Sequence, residues 1–329
     1  MKIYVAYTGG TIGMVPSEQG YVPDAAFANT VSQALVAYQP EHEFSVHCYA
    51  NLIDSSNATP ADWQTIGEDI QSKWAEFDAF LVLHGTDTMA YTSSALAFMF
   101  QHSRKPIVVT GSQIPMVKRR NDALSNVFGA VDALIQGPQG VFLFFGGLLL
   151  EGARARKVNT SDLQAFQSPN FLPRGTLGIE WNWRKMHLPK AAELIQVPPM
   201  QAGVVTLLPV FPGVQASHWQ GLLDDKVKGA VLLSYGAGNG PDQNQELLDL
   251  LKAANDRGVV IVNVSQCGTG AVAAGTYAAG SALVRAGVIS GADMTFEAAF
   301  SKLHFLLGLG WQEEAIKQAF ATTLAFEIS

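Results

Sequence analysis

The chain has 329 residues, 48% of them hydrophobic, enough for one large buried core or two ordinary ones. A formal net charge of −7, with 15% charged residues and no block of like charge, argues against nucleic acid or an anionic membrane as partner. The only cysteines, Cys48 and Cys267, exclude a disulfide framework and a Cys/His zinc site, and are expected to be buried free thiols.

In chain order the first element is a strand, IYVAY at 3–7, whose apolar run is too short for a signal peptide. Further strands are expected at 80–84 (FLVLH), 107–111 (IVVTG) and 141–145 (VFLFF). Each is almost continuously apolar, as suits strands covered on both faces. Helical patterns lie between them: 59–77 opening on Thr59 and Pro60, the mostly apolar segment after Asp87, and 121–137 ending at a glycine. From about 168 to 202 prolines and tryptophans follow no clean period, which reads as a surface stretch and a linker. Alternation resumes with strands at 204–210, 230–236 and 259–267 and helices at 214–223, 242–256, 294–308 and 311–324.

This alternation predicts an α/β fold. A larger N-terminal domain, 1–184, carries a mainly parallel sheet flanked by helices. A linker follows at 185–202, then a smaller C-terminal α/β domain at 203–329. No run of 18 apolar residues is long and clean enough to span a membrane. A soluble, cytoplasmic protein without membrane or nucleic-acid partners is expected.

Ligands of open α/β sheets bind beyond the carboxyl ends of the strands. There this sequence gathers Thr8, Thr11, Thr86, Asp87, Thr88, Ser112 and Lys157. The stretch TGGT at 8–11 has three readings: a plain turn, a phosphate cradle or the seat of a threonine nucleophile. It lacks the spacing of a P-loop or of a dinucleotide turn, and GTGAVAAG at 268–275 comes too late in the chain for one. A threonine hydroxyl needs a base or a polarising neighbour. Lysine serves as a base when its surroundings hold it neutral. Thr86, Asp87 and Lys157 make a chemically sensible relay. Spacing alone also allows a turn at Gly85–Thr86, a helix cap at Asp87 and a surface charge at Lys157.

The same residues carry a family resemblance. TGGTI at 8–12 and HGTDTMAYT at 84–92 resemble the two signatures of bacterial-type L-asparaginases, the second in the form of the cytoplasmic class I. SEQGYVP (17–23), DSS (54–56), GSQIP (111–115), SYGAGN (234–239), SQC (265–267) and GADMTFEAAFSKLHFLL (291–307) extend the match in order over the whole chain. The resemblance implies hydrolysis of L-asparagine to L-aspartate and ammonia, through an acyl-enzyme or direct water attack, with no cofactor or metal. It implies Thr11 as nucleophile, Tyr21 on a closing flap with Gly13 and Gly20, and Thr86, Asp87 and Lys157 as a second catalytic cluster. Ser55, Ser56 and Asp87 would hold the substrate's α-carboxylate and α-amine. Gly9 and Gly10 would leave backbone N–H groups near Thr11 open to the oxyanion, the Thr86 N–H is a second candidate donor, and Gly10 and Gly85 count among the expected substrate-binding residues. Asn239 would reach a neighbouring subunit's site in a homotetramer built as a dimer of dimers. A silent amino-acid sensor on the same scaffold, and an amidase of mixed asparagine and glutamine specificity, are the competing expectations.

The sequence departs from the family pattern in places. Arg156 and Ala123 replace a threonine and a glycine common at those positions. Leu233 stands where some cytoplasmic members carry an arginine lining a regulatory asparagine site, so hyperbolic asparagine kinetics are expected. QCGTGAVAAGTYAAG at 266–280 offers no acidic counterpart to the one secreted members contribute, and the base for Thr11 stays unassigned.

Overall fold

The computed structural model describes residues 1–18, 20–24, 26–101, 103–186, 195–273 and 278–329, with backbone alone at 278–281. The chain divides into two compact units. Residues 1–168 and 172–197 make the first, and 169–171 and 198–329 the second.

The first unit runs β1 (Lys2–Tyr7), β2 (Met14–Ser17), β3 (Gly20–Pro23), α1 (Phe27–Tyr38), β4 (Glu43–Cys48), α2 (Pro60–Ser72), β5 (Ala79–Leu83) and α3 (Met89–Met99). It continues with β6 (Pro106–Thr110), α4 (Ala123–Gln136), β7 (Gly140–Phe145), β8 (Leu148–Glu151), β9 (Arg156–Lys157), β10 (Phe166–Gln167), β11 (Gly175–Leu177) and β12 (Trp181–Trp183). Eight strands form one sheet in the order β12-β11-β8-β7-β6-β5-β1-β4. Strands β4, β1, β5, β6 and β7 are mutually parallel, and β8, β11 and β12 extend the sheet in antiparallel pairs.

Every residue of β5 and β6 is buried, which fits strands covered on both faces. On one face Ile3, Val5, Tyr7, Leu81, Leu83, Val108, Phe142 and Phe144 share a cluster with α1 (Val31, Leu35) and α4 (Val127, Ala130, Leu134). On the other, the Tyr4 hydroxyl donates to Asp69 of α2 at 3.0 Å. Helix α2 opens as expected at Thr59, whose N–H and hydroxyl both donate to Asp62 (2.7 and 2.8 Å).

The second unit runs β13 (Val205–Pro209), α5 (Ala216–Gln220), β14 (Gly229–Ser234), α6 (Gln245–Asp256), β15 (Val260–Ser265), α7 (Ala278–Arg285), β16 (Ile289–Ser290), α8 (Phe296–Gly308) and α9 (Glu313–Phe320). Its four strands are parallel in chain order. Leu208, Trp219, Leu232, Leu247, Leu251 and Ile261 form its core. The tripeptide 169–171 belongs to this unit. Asn170 donates to the carbonyls of Gly270 and Asp293 (2.9 Å each) and accepts the Gly270 N–H at 2.8 Å.

Some expectations need correction. Part of the stretch read as irregular, 168–202, is sheet: β11 pairs with β8 and β12 with β11. The paired Trp181 and Trp183 rings stack at 4.3 Å and pack on the core, a stabilisation that periodicity does not register. Cys48 and Cys267 are exposed: Cys48 ends the edge strand β4, which has no fully buried residue, and Cys267 lies two residues beyond the buried strand β15. Residues 187–194 of the expected linker, Gln19 of the flap, and 274–275 of GTGAVAAG lie outside the described residues. No helix among the described residues is long and apolar enough to cross a membrane.

Candidate active site

From β1 the chain moves outward to β4, then returns past β1 to β5 and onward to β6 and β7. The strand order therefore reverses between β1 and β5. Open α/β sheets bind ligands at such a switch point, outside the carboxyl ends. The loops that leave β1 and β5 carry Thr11 and Thr86.

These loops are tied together before any ligand enters. The Thr8 hydroxyl and N–H both donate to the Leu83 carbonyl at 3.0 Å, so Thr8 supports the turn. Gly10 has φ 93°, and a β-carbon there would lie 2.4 Å from the Gly85 nitrogen. Only glycine combines that conformation with that approach. Thr11 thus starts one residue from a backbone contact, and Thr86 lies one residue beyond its other side. The Thr11 hydroxyl is half-buried and has no hydrogen-bond partner among the described residues.

Thr86 is buried and Asp87 exposed. Lys157 Nζ donates to Thr86 Oγ1 and to Asp87 Oδ1, at 2.8 Å in each case. Lys157 is held in β9, whose partner across the ladder is Phe166 of β10. Helix α3 is capped at Thr88 without a side-chain bond, so Asp87 serves Lys157 and not the helix end. The structure brings Thr86, Asp87 and Lys157, grouped from the sequence, into direct hydrogen-bond contact.

Ser55 joins it. The Ile53 N–H donates to the Thr8 carbonyl at 2.7 Å, which draws the segment 53–57 onto the end of β1. Buried Ser55 Oγ lies 3.4 Å from the Asp87 nitrogen, and its carbonyl accepts the Thr88 hydroxyl at 2.7 Å. Gly85 is glycine for room, since a β-carbon would lie 2.3 Å from Ser55 Oγ. Ser56 is exposed, its N–H donating to Asp54 at 3.1 Å. Tyr21 sits on the β2–β3 hairpin opposite Pro16, 46% exposed, with Lys118 Nζ 5.5 Å from its ring centre. Asn239 belongs to the second unit, where its backbone pairs with Tyr235 and its buried Oδ1 has no hydrogen-bond partner among the described residues.

Gln113, within GSQIP, carried no expected role. Its Oε1 accepts the Thr86 hydroxyl at 3.2 Å, and its Nε2 donates to the carbonyls of Thr160 and Asp162 at 3.3 and 3.4 Å. It follows β6, so the strand-end rule that selected Ser112 could have selected it too. Asp122 fixes its backbone, accepting the Gln113 and Ile114 N–H groups at 2.9 Å each. Behind the site His84 is fully enclosed, between the Gly85 carbonyl (2.7 Å) and the Thr92 hydroxyl (3.1 Å). Burial holds its ring below the usual histidine range, against the opposing pull of that carbonyl.

Two family models account for most of the chain: "Asparaginase, N-terminal" over residues 2–188 and "Glutaminase/Asparaginase C-terminal domain" over 204–320. The chain belongs to the asparaginase family. It is 45% identical to L-asparaginase 1 of Escherichia coli, over 100% of this chain and 98% of that protein. A crystal structure of L-asparaginase I from Vibrio cholerae is 41% identical, with a TM-score of 0.90 over 100% of this chain and 99% of that one. The thermostable L-asparaginase of Thermococcus kodakarensis matches at 31% identity and a TM-score of 0.91, over 100% and 99% of the two chains. The family reading of the sequence is borne out. So is the α/β class, with a large mainly parallel sheet and a separate, smaller parallel sheet.

Proposed function

We propose that this chain hydrolyses L-asparagine to L-aspartate and ammonia, with Thr11 as nucleophile. One observation carries the reading: Lys157 Nζ stands 2.8 Å from both Thr86 Oγ1 and Asp87 Oδ1, beside the glycine contact that abuts Thr11.

The Asp87 carboxylate gives one oxygen to Lys157 and leaves the other for the substrate ammonium. Ser55 and Ser56 take the α-carboxylate. This places the side-chain amide carbon over Thr11. The Thr11 oxygen bonds to that carbon, and charge develops on the amide oxygen. Backbone N–H groups around Gly10 and Thr86 are suited to stabilise it, the kind of term that is often the largest in acyl transfer. The C–N bond breaks, and nitrogen leaves as ammonia with the proton that Thr11 gave up. Water then adds to the acyl-threonine ester and releases aspartate. Tyr21 closes the site from its hairpin and excludes bulk water.

Asn239 completes the site of a neighbouring copy in a homotetramer arranged as a dimer of dimers, and the enzyme works in the cytoplasm. A silent sensor on this scaffold would have no use for Lys157 between Thr86 and Asp87.

The test is ammonia release from L-asparagine and L-glutamine by the purified chain. Turnover of asparagine is expected. Tight asparagine binding by calorimetry without turnover would replace this reading with the sensor. One methylene separates the two amides and is worth about 1–3 kcal/mol of discrimination, so glutamine turnover is expected to be lower by roughly 10- to 200-fold.

A further inference from the structure

The hydrogen bonds around Gln113 fix the direction of every proton in the Thr86 relay. The carbonyls of Thr160 and Asp162 can only accept, so the Gln113 amide nitrogen must face them. Its oxygen therefore faces Thr86. An amide oxygen has no hydrogen to give, so the Thr86 hydroxyl donates to Gln113. That leaves the Thr86 lone pairs to accept from Lys157 Nζ at 2.8 Å. The resting relay runs from Lys157 to Thr86 to Gln113. For Lys157 to take a proton from Thr86, the hydroxyl must first swing off Gln113.

We propose that Gln113 is the positioning residue that holds the Thr86 hydroxyl proton away from Lys157, and so sets the pH at which the relay becomes active. This rests on the asparaginase reading above. Charged residues of several elements bear on the pair. Asp87 contributes its carboxylate from the loop of Thr86. Asp162 meets Gln113 through its backbone carbonyl while its carboxylate accepts the Gln164 N–H, and Arg156 precedes Lys157 in β9 opposite Gln167. Asp122 comes from behind, both its oxygens committed to backbone N–H groups. Burial disfavours the charged form of His84, on the strand side. Gln113 is the uncharged member whose removal changes hydrogen bonding without changing charge.

The test compares kcat/KM for asparagine against pH in the wild type, Gln113→Met and Gln113→Glu, with thermal melts of all three. Methionine keeps the length but cannot hold the hydroxyl, so Thr86 is released toward Lys157. The rising limb is then expected to move down by about half a pH unit, a shift of the size one hydrogen bond supports. Glutamate accepts the same hydroxyl but adds a negative charge facing Lys157, and the limb is expected to move up. Opposite shifts support the proposal. Limbs that stay at the wild-type pH, or move together, overturn it even if rates fall, since a purely structural role would lower the rate without that split. If Gln113→Met has no measurable turnover or melts early, the glutamate limb alone decides: upward supports, unmoved or downward overturns. A wild type without asparagine turnover would instead remove the functional reading on which the proposal stands.

Discussion

A β-carbon on Gly10 would stand 2.4 Å from the backbone nitrogen of Gly85. The two loops bearing the threonines therefore meet main chain to main chain. Gly10→Ala is expected to push them apart while straining a φ of 93°. The strain alone is worth roughly 1–3 kcal/mol, and displacement of the threonines by an ångström costs about 100-fold in rate. Urea unfolding and kcat/KM measured together check both parts.

Thr11 and Thr86 are expected to behave differently when truncated. The Thr11 hydroxyl bonds to nothing among the described residues, so Thr11→Ala leaves stability within about 0.5 kcal/mol of the wild type. Its ammonia release nevertheless falls by at least about 1,000-fold. Thr86→Val loses turnover as well, but also strips Lys157 and Gln113 of a shared partner and lowers stability by about 1–2 kcal/mol. A Thr11→Ala enzyme with normal turnover would dismiss its role.

Asp87→Asn separates binding from folding. The Asp87 side chain is 60% exposed, and exposed ion pairs contribute about 0–1 kcal/mol. Melting is expected to change little. The loss of a negative charge facing the substrate ammonium should raise KM by about 10-fold or more. Steady-state kinetics with unchanged KM would reassign the carboxylate.

In the second unit burial holds the His304 ring neutral to about pH 4, against 6.5 in the unfolded chain. Unfolding takes up a proton throughout that window, so this residue's contribution to stability falls as pH drops from 6.5 to about 4. The full loss is up to about 3 kcal/mol. Glu151, in the first unit, acts with opposite sign. Burial raises its carboxyl to about 7 despite Arg174, so the folded chain holds a proton there that the unfolded chain releases above 4.5. The comparison of His304→Leu with wild type cancels that shared term. Denaturation at pH 7 and pH 5 should show a smaller acid loss in the variant.

Asparagine saturation is expected to be hyperbolic. Leu233 brings no cation to the end of β14, where its carbonyl receives the Val210 N–H (2.9 Å) and Gln266 Nε2 (2.7 Å). A Hill coefficient well above one at low asparagine would overturn this.

The sequence was most legible where burial was complete. The expected strands at 3–7, 80–84, 107–111 and 141–145 correspond to β1, β5, β6 and β7 within a residue or so. Continuous apolar runs leave such strands few alternatives. Strand β4 escaped notice because it is an edge strand, exposed along alternate residues and held by pairing with β1. Helix α1 likewise depends on the face that Val31 and Leu35 bury against the sheet. At the site, Thr86, Asp87 and Lys157 were recognisable from residue type and position at strand ends. Gln113 stands at a strand end as well and could have been selected by the same rule, but its part, the direction of its hydrogen bond to Thr86, is visible only in the structure.

The tripeptide 169–171 has a consequence for recombination. The chain passes from one unit to the other at 168–169, 171–172 and 197–198, so no single crossover point exchanges either unit intact. A chimera joined at 198 would import the carbonyls of Gly270 and Asp293 from one parent and Asn170 from the other. Its success would turn on whether a foreign three-residue patch offers the same amide, a compatibility that overall identity between the parents does not measure.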